Sequence, residues 1–196
     1  MQWNAIKEAG QISIDGRDHD LQHLQDSEFR FEIPAKRGYP EINAGMLVQY
    51  SSHCASTGPR QGERFDFAEL GQDRSIIDEK GNERCFSADR YEWSTNLPAI
   101  IESIPSGRPC FFTNRGNWLS IERLDWLGRQ QVYEVYFNLT LPSRSFLRLY
   151  VESAYVKTGE NRARRPGYFK RKDRIRGHVL MAKRLRGEPI RRPRRR

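Results

Sequence analysis

The sequence lacks the features of a secreted or membrane-anchored protein. It has only three cysteines, Cys54, Cys85 and Cys110, and they form no CxxC pair. An odd number of widely spaced cysteines argues against a disulfide framework and a zinc site, and favours buried thiols in a reducing compartment. No run approaches the roughly 20 apolar residues that cross a bilayer, and no secretory signal is present. We therefore expect a cytoplasmic protein without cofactor, metal or membrane partner.

Repeats of fixed period are also missing, which excludes solenoids and propellers. The chain has 196 residues, of which 37% are hydrophobic and 30% charged. This size and composition favour one folded domain with appendages.

Charge is distributed unevenly along the chain. The whole sequence has a formal net charge of +9. Residues 157–196 contain 17 Lys and Arg against three Asp and Glu, a net charge of +14, so residues 1–156 are mildly acidic. We therefore predict a folded domain over residues 1–156 and a basic arm over residues 157–196.

Hydrophobic patterns in the first half of the domain predict short mixed elements. Residues 11–34 alternate as short β segments, and residues 45–50 form a short apolar strand. Residues 57–83 are polar and rich in glycine, which indicates an irregular excursion with a tight turn at 79–82. A helix capped by Ser87 follows, and a second helix covers residues 97–104.

The second half of the domain alternates with a period of two. Four strands are predicted, over residues 110–113, 117–124, 131–139 and 145–156, joined by short turns. The expected fold class is α+β, with short helices packed on an antiparallel four-stranded meander, extra N-terminal β segments and the basic C-terminal arm. The inward face is assigned to the following residues or their neighbours: Leu119, Ile121, Val132, Phe146 and Val151.

The basic arm is the strongest functional signal in the sequence. Arginine binds phosphates through its forked donors and stacks on bases, and tyrosine and phenylalanine add stacking surfaces. We therefore expect nucleic acid as the partner, RNA more than DNA, although an arm that only aids solubility or docks on an acidic protein is the alternative. The predicted nucleic-acid-binding residues are Arg162, Arg164, Arg165, Tyr168, Phe169, Lys170, Arg171, Lys172, Arg174, Arg176, Lys183, Arg184, Arg186, Arg191, Arg192, Arg194, Arg195 and Arg196.

The arm has too few apolar residues to form a core, so we expect it to be flexible. Residues 177–186 are compatible with about two helical turns carrying a narrow apolar stripe. That helix is expected only in contact with a partner.

A candidate catalytic site begins where the strand over residues 45–50 ends. His53 follows this strand, and its side chain has the pKa range suited to proton transfer near neutral pH. Arg84 and Arg90 are candidate phosphate ligands and Tyr91 a candidate acid, next to a helix start with free backbone donors. Each of the four also has a structural interpretation, as a core histidine, an ion-paired arginine or a packed tyrosine.

Two resemblances bear on function. The spacing Tyr50-Ser-x-His53-Cys54, followed by Cys85 and Asp89-Arg90-Tyr91, resembles a group of uncharacterised proteobacterial and mobile-element proteins over roughly residues 40–156, which implies a bacterial, intracellular setting. Helices followed by a four-stranded meander are similar in architecture to RelE/ParE-type and barnase-like toxins, in which a basic sheet face grips RNA. Those enzymes use scattered residues, so no position is carried over.

These observations predict a cytoplasmic bacterial nucleic-acid-binding protein, with a metal-independent endoribonuclease as its enzymatic form. In that form His53 is the base, Arg84 or Arg90 contacts the phosphate and Tyr91 is the acid. One alternative is a non-enzymatic subunit of a ribonucleoprotein or mobile-element complex. The other is a protein-interaction adaptor with a basic tail.

Overall fold

The structure, a computed structural model, describes residues 1–36, 39–60, 62–113, 116–126, 129–156 and 174–190. The helices in these ranges are α1 (Trp3–Ala9), α2 (Phe67–Leu70), α3 (Ala88–Ser94), α4 (Leu97–Glu102) and α5 (Gly177–Leu185). The strands are β1 (Gln11–Ile14), β2 (Arg17–Asp20), β3 (Ser27–Ile33), β4 (Ile42–Tyr50), β5 (Ser56–Thr57), β6 (Ser75–Ile77), β7 (Glu83–Phe86), β8 (Pro109–Phe112), β9 (Trp118–Trp126), β10 (Arg129–Ser143), β11 (Phe146–Val156) and β12 (Arg174–Arg176).

The fold is α+β, and its main sheet is larger than the predicted one. Seven strands pair in the order β12-β8-β9-β10-β11-β4-β3. The strands from β8 to β11 are antiparallel neighbours in chain order, whereas β4 pairs parallel to β11. The sheet is therefore mixed, because an N-terminal strand adds to the edge that a free-standing meander would leave open.

Close contact between two strands explains one glycine. The parallel register runs from Gly45 opposite Phe146 to Tyr50 opposite Val151. A Cβ on Gly45 would lie 2.6 Å from the ring of Phe146, closer than real Cβ contacts allow. The absence of a side chain at Gly45 lets the ring lie across β4.

Strand β10 buries the set of side chains opposite to Val132. Leu119 and Val151 are buried as expected, but Ile121, Val132 and Phe146 are partly exposed. Because side chains alternate between the two faces of a strand, assigning one residue to the wrong face shifts the whole set. On the face opposite to Val132 the buried residues are Tyr133, Val135, Phe137 and Leu139, while Glu134 is also buried on the same face as Val132.

Helices α3 and α4 follow the predicted pattern. The Ser87 hydroxyl accepts a hydrogen bond from the amide of Arg90 at the start of α3. Helix α4 starts at Leu97 as expected and ends at Glu102, two residues before the predicted end. The predicted apolar stripe is buried in the core: Leu97, Ile100, Ile101 and Ile104. None of the described helices has the length and hydropathy of a membrane span.

The predicted excursion over residues 57–83 contains more regular structure than expected. It includes α2 and β6, and β6 joins β5 and β7 in a three-stranded antiparallel sheet. The predicted turn at 79–82 is present, since the amide of Asp78 donates to the carbonyl of Asn82 over 2.9 Å. This small sheet carries one wall of the site described below.

The C-terminal segment over residues 174–190 is part of the folded body. Strand β12 pairs with β8, and Leu180 and Met181 of α5 are fully buried in the same core as the sheet. Gly177 lies directly against the backbone oxygen of Ile104, so α5 starts in tight contact with the end of α4. The partner that α5 requires is the domain itself, and the fold therefore extends beyond the boundary at residue 156.

Packing of α5 predicts different effects for two substitutions on the same helix. Met181 is fully buried, and Met181→Ala should lower the free energy of unfolding by about 2 to 4 kcal/mol because it leaves a cavity. Val179 is 36% exposed, so Val179→Ala should change it by less than about 0.5 kcal/mol. Urea unfolding of both variants checks this, and equal, small effects would show that α5 does not contribute to the core.

Candidate functional site

An open cleft lies between the end of β4 and the small sheet. Its volume is about 550 Å³, within the range of about 300 to 1,000 Å³ typical of small-molecule sites. It is lined by His53, Pro59, Arg64, Phe65, Asp78, Lys80, Asn82, Glu83 and Arg84. Two of the four predicted catalytic residues, His53 and Arg84, therefore face the same space.

His53 is held at the cleft by a short turn. Strand β4 ends at Tyr50, and residues Ser52–Cys54 form a single 3₁₀ turn. The Ser51 hydroxyl accepts a hydrogen bond from the amide of His53. The side chain of His53 remains 39% exposed, so the backbone is fixed while the imidazole reaches solvent.

Asp78 faces His53 across the cleft from the turn between β6 and β7. One of its carboxylate oxygens lies 3.9 Å from Nε2 of His53. The other accepts the amides of Lys80 and Asn82, each over 2.8 Å. Burial alone would raise the pKa of Asp78, but the hydrogen bonds from Asn82 and Lys80 and the charge of Arg84 hold it below its usual value. Asp78 is therefore a fixed negative charge beside the imidazole.

The environment of His53 favours its neutral form. Burial lowers the pKa of His53, and the positive charges of Arg84 and Arg90 lower it further. Glu79 and Asp78 act in the opposite direction without cancelling this effect. An imidazole that is neutral near pH 7 is able to accept a proton, as a general base must.

Arg84 is anchored at one edge of its guanidinium group. Its Nε donates to the hydroxyl of Ser56 over 2.8 Å, and its Nη2 donates to the carbonyl of the same residue over 3.1 Å. Its Nη1 makes no hydrogen bond within the described part of the chain. Burial and the neighbouring Arg90 lower the pKa of Arg84, although arginine stays charged at physiological pH.

Arg90 acts behind the site rather than in it. Its Nη1 donates to the backbone carbonyl of His53 over 2.6 Å. Its guanidinium carbon lies 5.3 Å from the ring centre of Tyr155, a cation–π distance. Arg90 is not among the cleft-lining residues, so it positions the His53 backbone instead of contacting a ligand.

Tyr91 packs away from the cleft. Its ring lies 4.9 Å from that of His19 and 5.9 Å from that of Phe86. It is also absent from the cleft lining. Tyr91 is therefore not placed to act as the acid in this site, because its side chain covers the β1–β2 hairpin instead.

The three cysteines are buried and not joined by disulfides. Burial raises the pKa of both Cys54 and Cys110 to about 12, which keeps these thiols protonated and unreactive. Within the described ranges, no group of three or more His, Cys, Asp and Glu is arranged to hold a metal ion.

Sequence reasoning missed the residues that complete the cleft. Asp78 directly precedes the predicted turn at 79–82 and Lys80 lies within it, while Arg64 and Phe65 lie in the predicted irregular excursion. The usable signal was the position of an acidic residue at the start of a tight turn, where Asp commonly binds the backbone of the next residues. No local sequence pattern indicated that this turn lies beside His53 in the fold.

The predicted nucleic-acid-binding residues fall into two groups. Arg174 and Arg176 are exposed on β12, while Lys183 and Arg186 lie near Glu188, at 3.2 and 3.8 Å. The Nε of Arg184 is buried and has no hydrogen-bond partner among the described residues. The remaining residues lie outside the described ranges: Arg162, Arg164, Arg165, Tyr168, Phe169, Lys170, Arg171, Lys172, Arg191, Arg192, Arg194, Arg195 and Arg196.

Comparison with known proteins defines the family. The model of the YjaZ family matches residues 11–185, a range that includes β1, the cleft and all of α5. The chain therefore belongs to the YjaZ family. No curated protein and no solved structure matches the chain.

Three partly buried histidines predict a loss of stability in mild acid. Burial lowers the pKa of His23, His53 and His178 below the ordinary value of 6.5 in the folded protein. Unfolding then takes up protons as the pH falls through about 6.5, so the free energy of unfolding should decrease between pH 7.5 and pH 5.5. His53→Gln should reduce this pH dependence, as measured by urea unfolding at both pH values. A stability that rises on acidification would contradict the prediction.

Proposed function

We propose that this protein binds RNA and cleaves it without requiring a metal ion, using the His53 cleft. The observation that carries the proposal is the placement of a neutral, solvent-accessible imidazole among cationic side chains in one cleft. Cleavage of RNA by its own 2′-hydroxyl needs a base for that hydroxyl, an acid for the leaving oxygen and positive charge at the phosphate. The cleft contains a residue for each role.

The reaction that fits these residues is a transesterification. His53 takes the proton of the 2′-hydroxyl while the 2′-oxygen forms a bond to phosphorus. The bond from phosphorus to the 5′-oxygen breaks, and the ammonium group of Lys80 donates a proton to that oxygen. Arg84 stabilises the negative charge on the nonbridging oxygens. The products are a 2′,3′-cyclic phosphate and a 5′-hydroxyl end.

Asp78 and Arg90 have supporting roles in this mechanism. The negative charge of Asp78 is 3.9 Å from Nε2 of His53, where it favours the imidazolium that forms when the base takes a proton. Arg90 holds the His53 carbonyl and so keeps the ring at the mouth of the cleft. The mechanism differs from the one expected from the sequence alone in using Lys80 rather than Tyr91 as the acid.

Binding without cleavage is the second candidate, and the distribution of charge favours it. Residues 157–196 have a net charge of +14. Burial lowers the pKa of His178, and the charges of Arg176 and Lys36 lower it further, so cations from two distant parts of the chain act on the first turn of α5. Such a surface suits the backbone of a nucleic acid in a ribonucleoprotein or mobile-element complex. A basic tail that docks on an acidic protein is the third candidate.

The catalytic proposal predicts a specific loss of activity. His53→Gln should lower cleavage of a labelled single-stranded RNA by about 100-fold or more, because it removes a positioned base. RNA affinity should stay within about threefold of the unmodified protein. The measurement is single-turnover cleavage with purified protein, and DNA of the same sequence is the control because it lacks the 2′-hydroxyl nucleophile.

Three outcomes of this assay separate the candidates. Cleavage that depends on His53 supports the enzyme. RNA binding with no cleavage by the unmodified protein leaves the non-enzymatic subunit as the function. The absence of both RNA binding and cleavage leaves the adaptor.

The basic C-terminal residues predict a salt-dependent affinity. Deleting residues 191–196 removes five arginines and leaves β12 and α5 in place. For single-stranded RNA the slope of log affinity against log salt concentration should become less steep by up to about 3.5, because each phosphate that is no longer neutralised reduces it by about 0.7. Filter binding from about 50 to 300 mM salt measures this. An unchanged slope would show that these arginines do not bind RNA.

A further inference from the structure

Two of the positive charges in the cleft have no ion-pair partner among the described residues. Arg64 and Lys80 make no ion pair and no side-chain hydrogen bond within the part of the chain that the structure describes. The nearby carboxylates are occupied elsewhere, since Asp78 accepts backbone amides and Glu83 accepts the hydroxyl of Ser75 over 3.3 Å. Cations that line a cleft without partners are suited to bind an anion.

Arg84 adds a rigid donor to this arrangement. Ser56 holds its Nε and Nη2, while Nη1 is directed to the side of the loop at Gly58, where a Cβ would lie only 3.2 Å away. Because two of its nitrogens are fixed, the third loses little freedom when it binds a ligand. A side chain at position 58 would crowd this edge.

Charged groups from three elements determine the protonation of His53. The turn between β6 and β7 contributes Asp78 and Glu79, strand β7 contributes Arg84, and helix α3 contributes Arg90. Arg64, Lys80 and Glu83 lie along the same cleft. Burial and the two arginines oppose the charged imidazole, and an anion bound beside them would offset their repulsion.

We infer that the cleft binds a single phosphodiester group through Arg64, Lys80 and Nη1 of Arg84, and that in mild acid His53 takes up a proton when this group binds. The inference rests on the proposed function for its choice of ligand, but it does not require that cleavage occurs. The cleft is larger than a phosphate group, and Pro59 and Phe65 supply apolar surface for an attached nucleoside. The imidazolium is also the state of His53 after it has taken the proton of the 2′-hydroxyl.

The test uses a deoxyribose dinucleoside monophosphate as the probe. Its charge is constant between about pH 5 and 8, and it cannot be cleaved because it has no 2′-hydroxyl. Binding should be tighter at pH 5.5 than at pH 8, by up to about tenfold for an upward shift of one unit in the pKa of His53. NMR titration of the His53 ring, with and without probe, measures that shift directly. Calorimetry in two buffers of different ionisation enthalpy measures the number of protons taken up on binding.

Variants distinguish binding at a defined site from nonspecific electrostatic attraction. Lys80→Ala should weaken probe binding by about fivefold, because a charge-assisted hydrogen bond to phosphate is removed. Arg144→Ala removes a charge between β10 and β11, at the end of the sheet opposite to His53, and should leave binding unchanged. His53→Gln should retain binding at pH 8 but abolish the proton uptake.

The outcomes are separable from those of the cleavage assay. An affinity that does not change with pH, or an equal loss in the Lys80 and Arg144 variants, overturns the inference even if RNA cleavage depends on His53. Proton-coupled binding of the probe supports the inference even if no RNA is cleaved, in which case the cleft is a phosphate site of a binding protein.

Discussion

The parallel pairing of β4 with β11 is the contact on which the rest of the structure depends. It joins an N-terminal strand to the hairpins formed after residue 109, over the register from Gly45 to Tyr50. The pairing stops at Val151, and the chain then leaves the sheet through the turn that carries His53. Beyond this point β11 continues to Val156, so Tyr155 is available as a surface for Arg90. The end of one strand thus creates the position of the site.

Two arginines, the buried Arg84 and the half-buried Arg90, then define the chemistry at that position. Burying a guanidinium group is unfavourable unless its donors are satisfied. Arg90 donates to the His53 carbonyl and lies over the face of Tyr155, and Arg84 donates two hydrogen bonds to Ser56 while its Nη1 stays available. Burial lowers the pKa of His53, and the same two charges lower it further. Structural roles and an influence on the protonation of His53 are therefore combined in the same residues.

The C-terminal part of the chain shows how composition conceals a folded segment. Averaged over residues 157–196, the charge density is typical of an extended tail. Within it, α5 has Leu180, Met181 and Ala182 on a buried face, while Lys183 and Arg184 are partly exposed. Basic residues on a docked helix keep fixed positions on the surface. Under the function that we propose, such fixed charges define a path for the nucleic acid.

The sequence by itself determined the α+β class, the Ser87 cap, the buried stripe of α4 and the turn after Asp78, because each depends on residues close together in the chain. It also singled out His53 from its place after an apolar strand. Only the tertiary structure decided which face of β10 is buried, that β4 joins the sheet in parallel, and that α5 packs on the domain. These features depend on pairing between distant segments, for which local patterns carry no information. For the same reason, the sequence did not show which of the predicted site residues meet. His53 and Arg84 share a cleft with Asp78 and Lys80. Tyr91 adjoins Arg90 in sequence but packs against the β1–β2 hairpin.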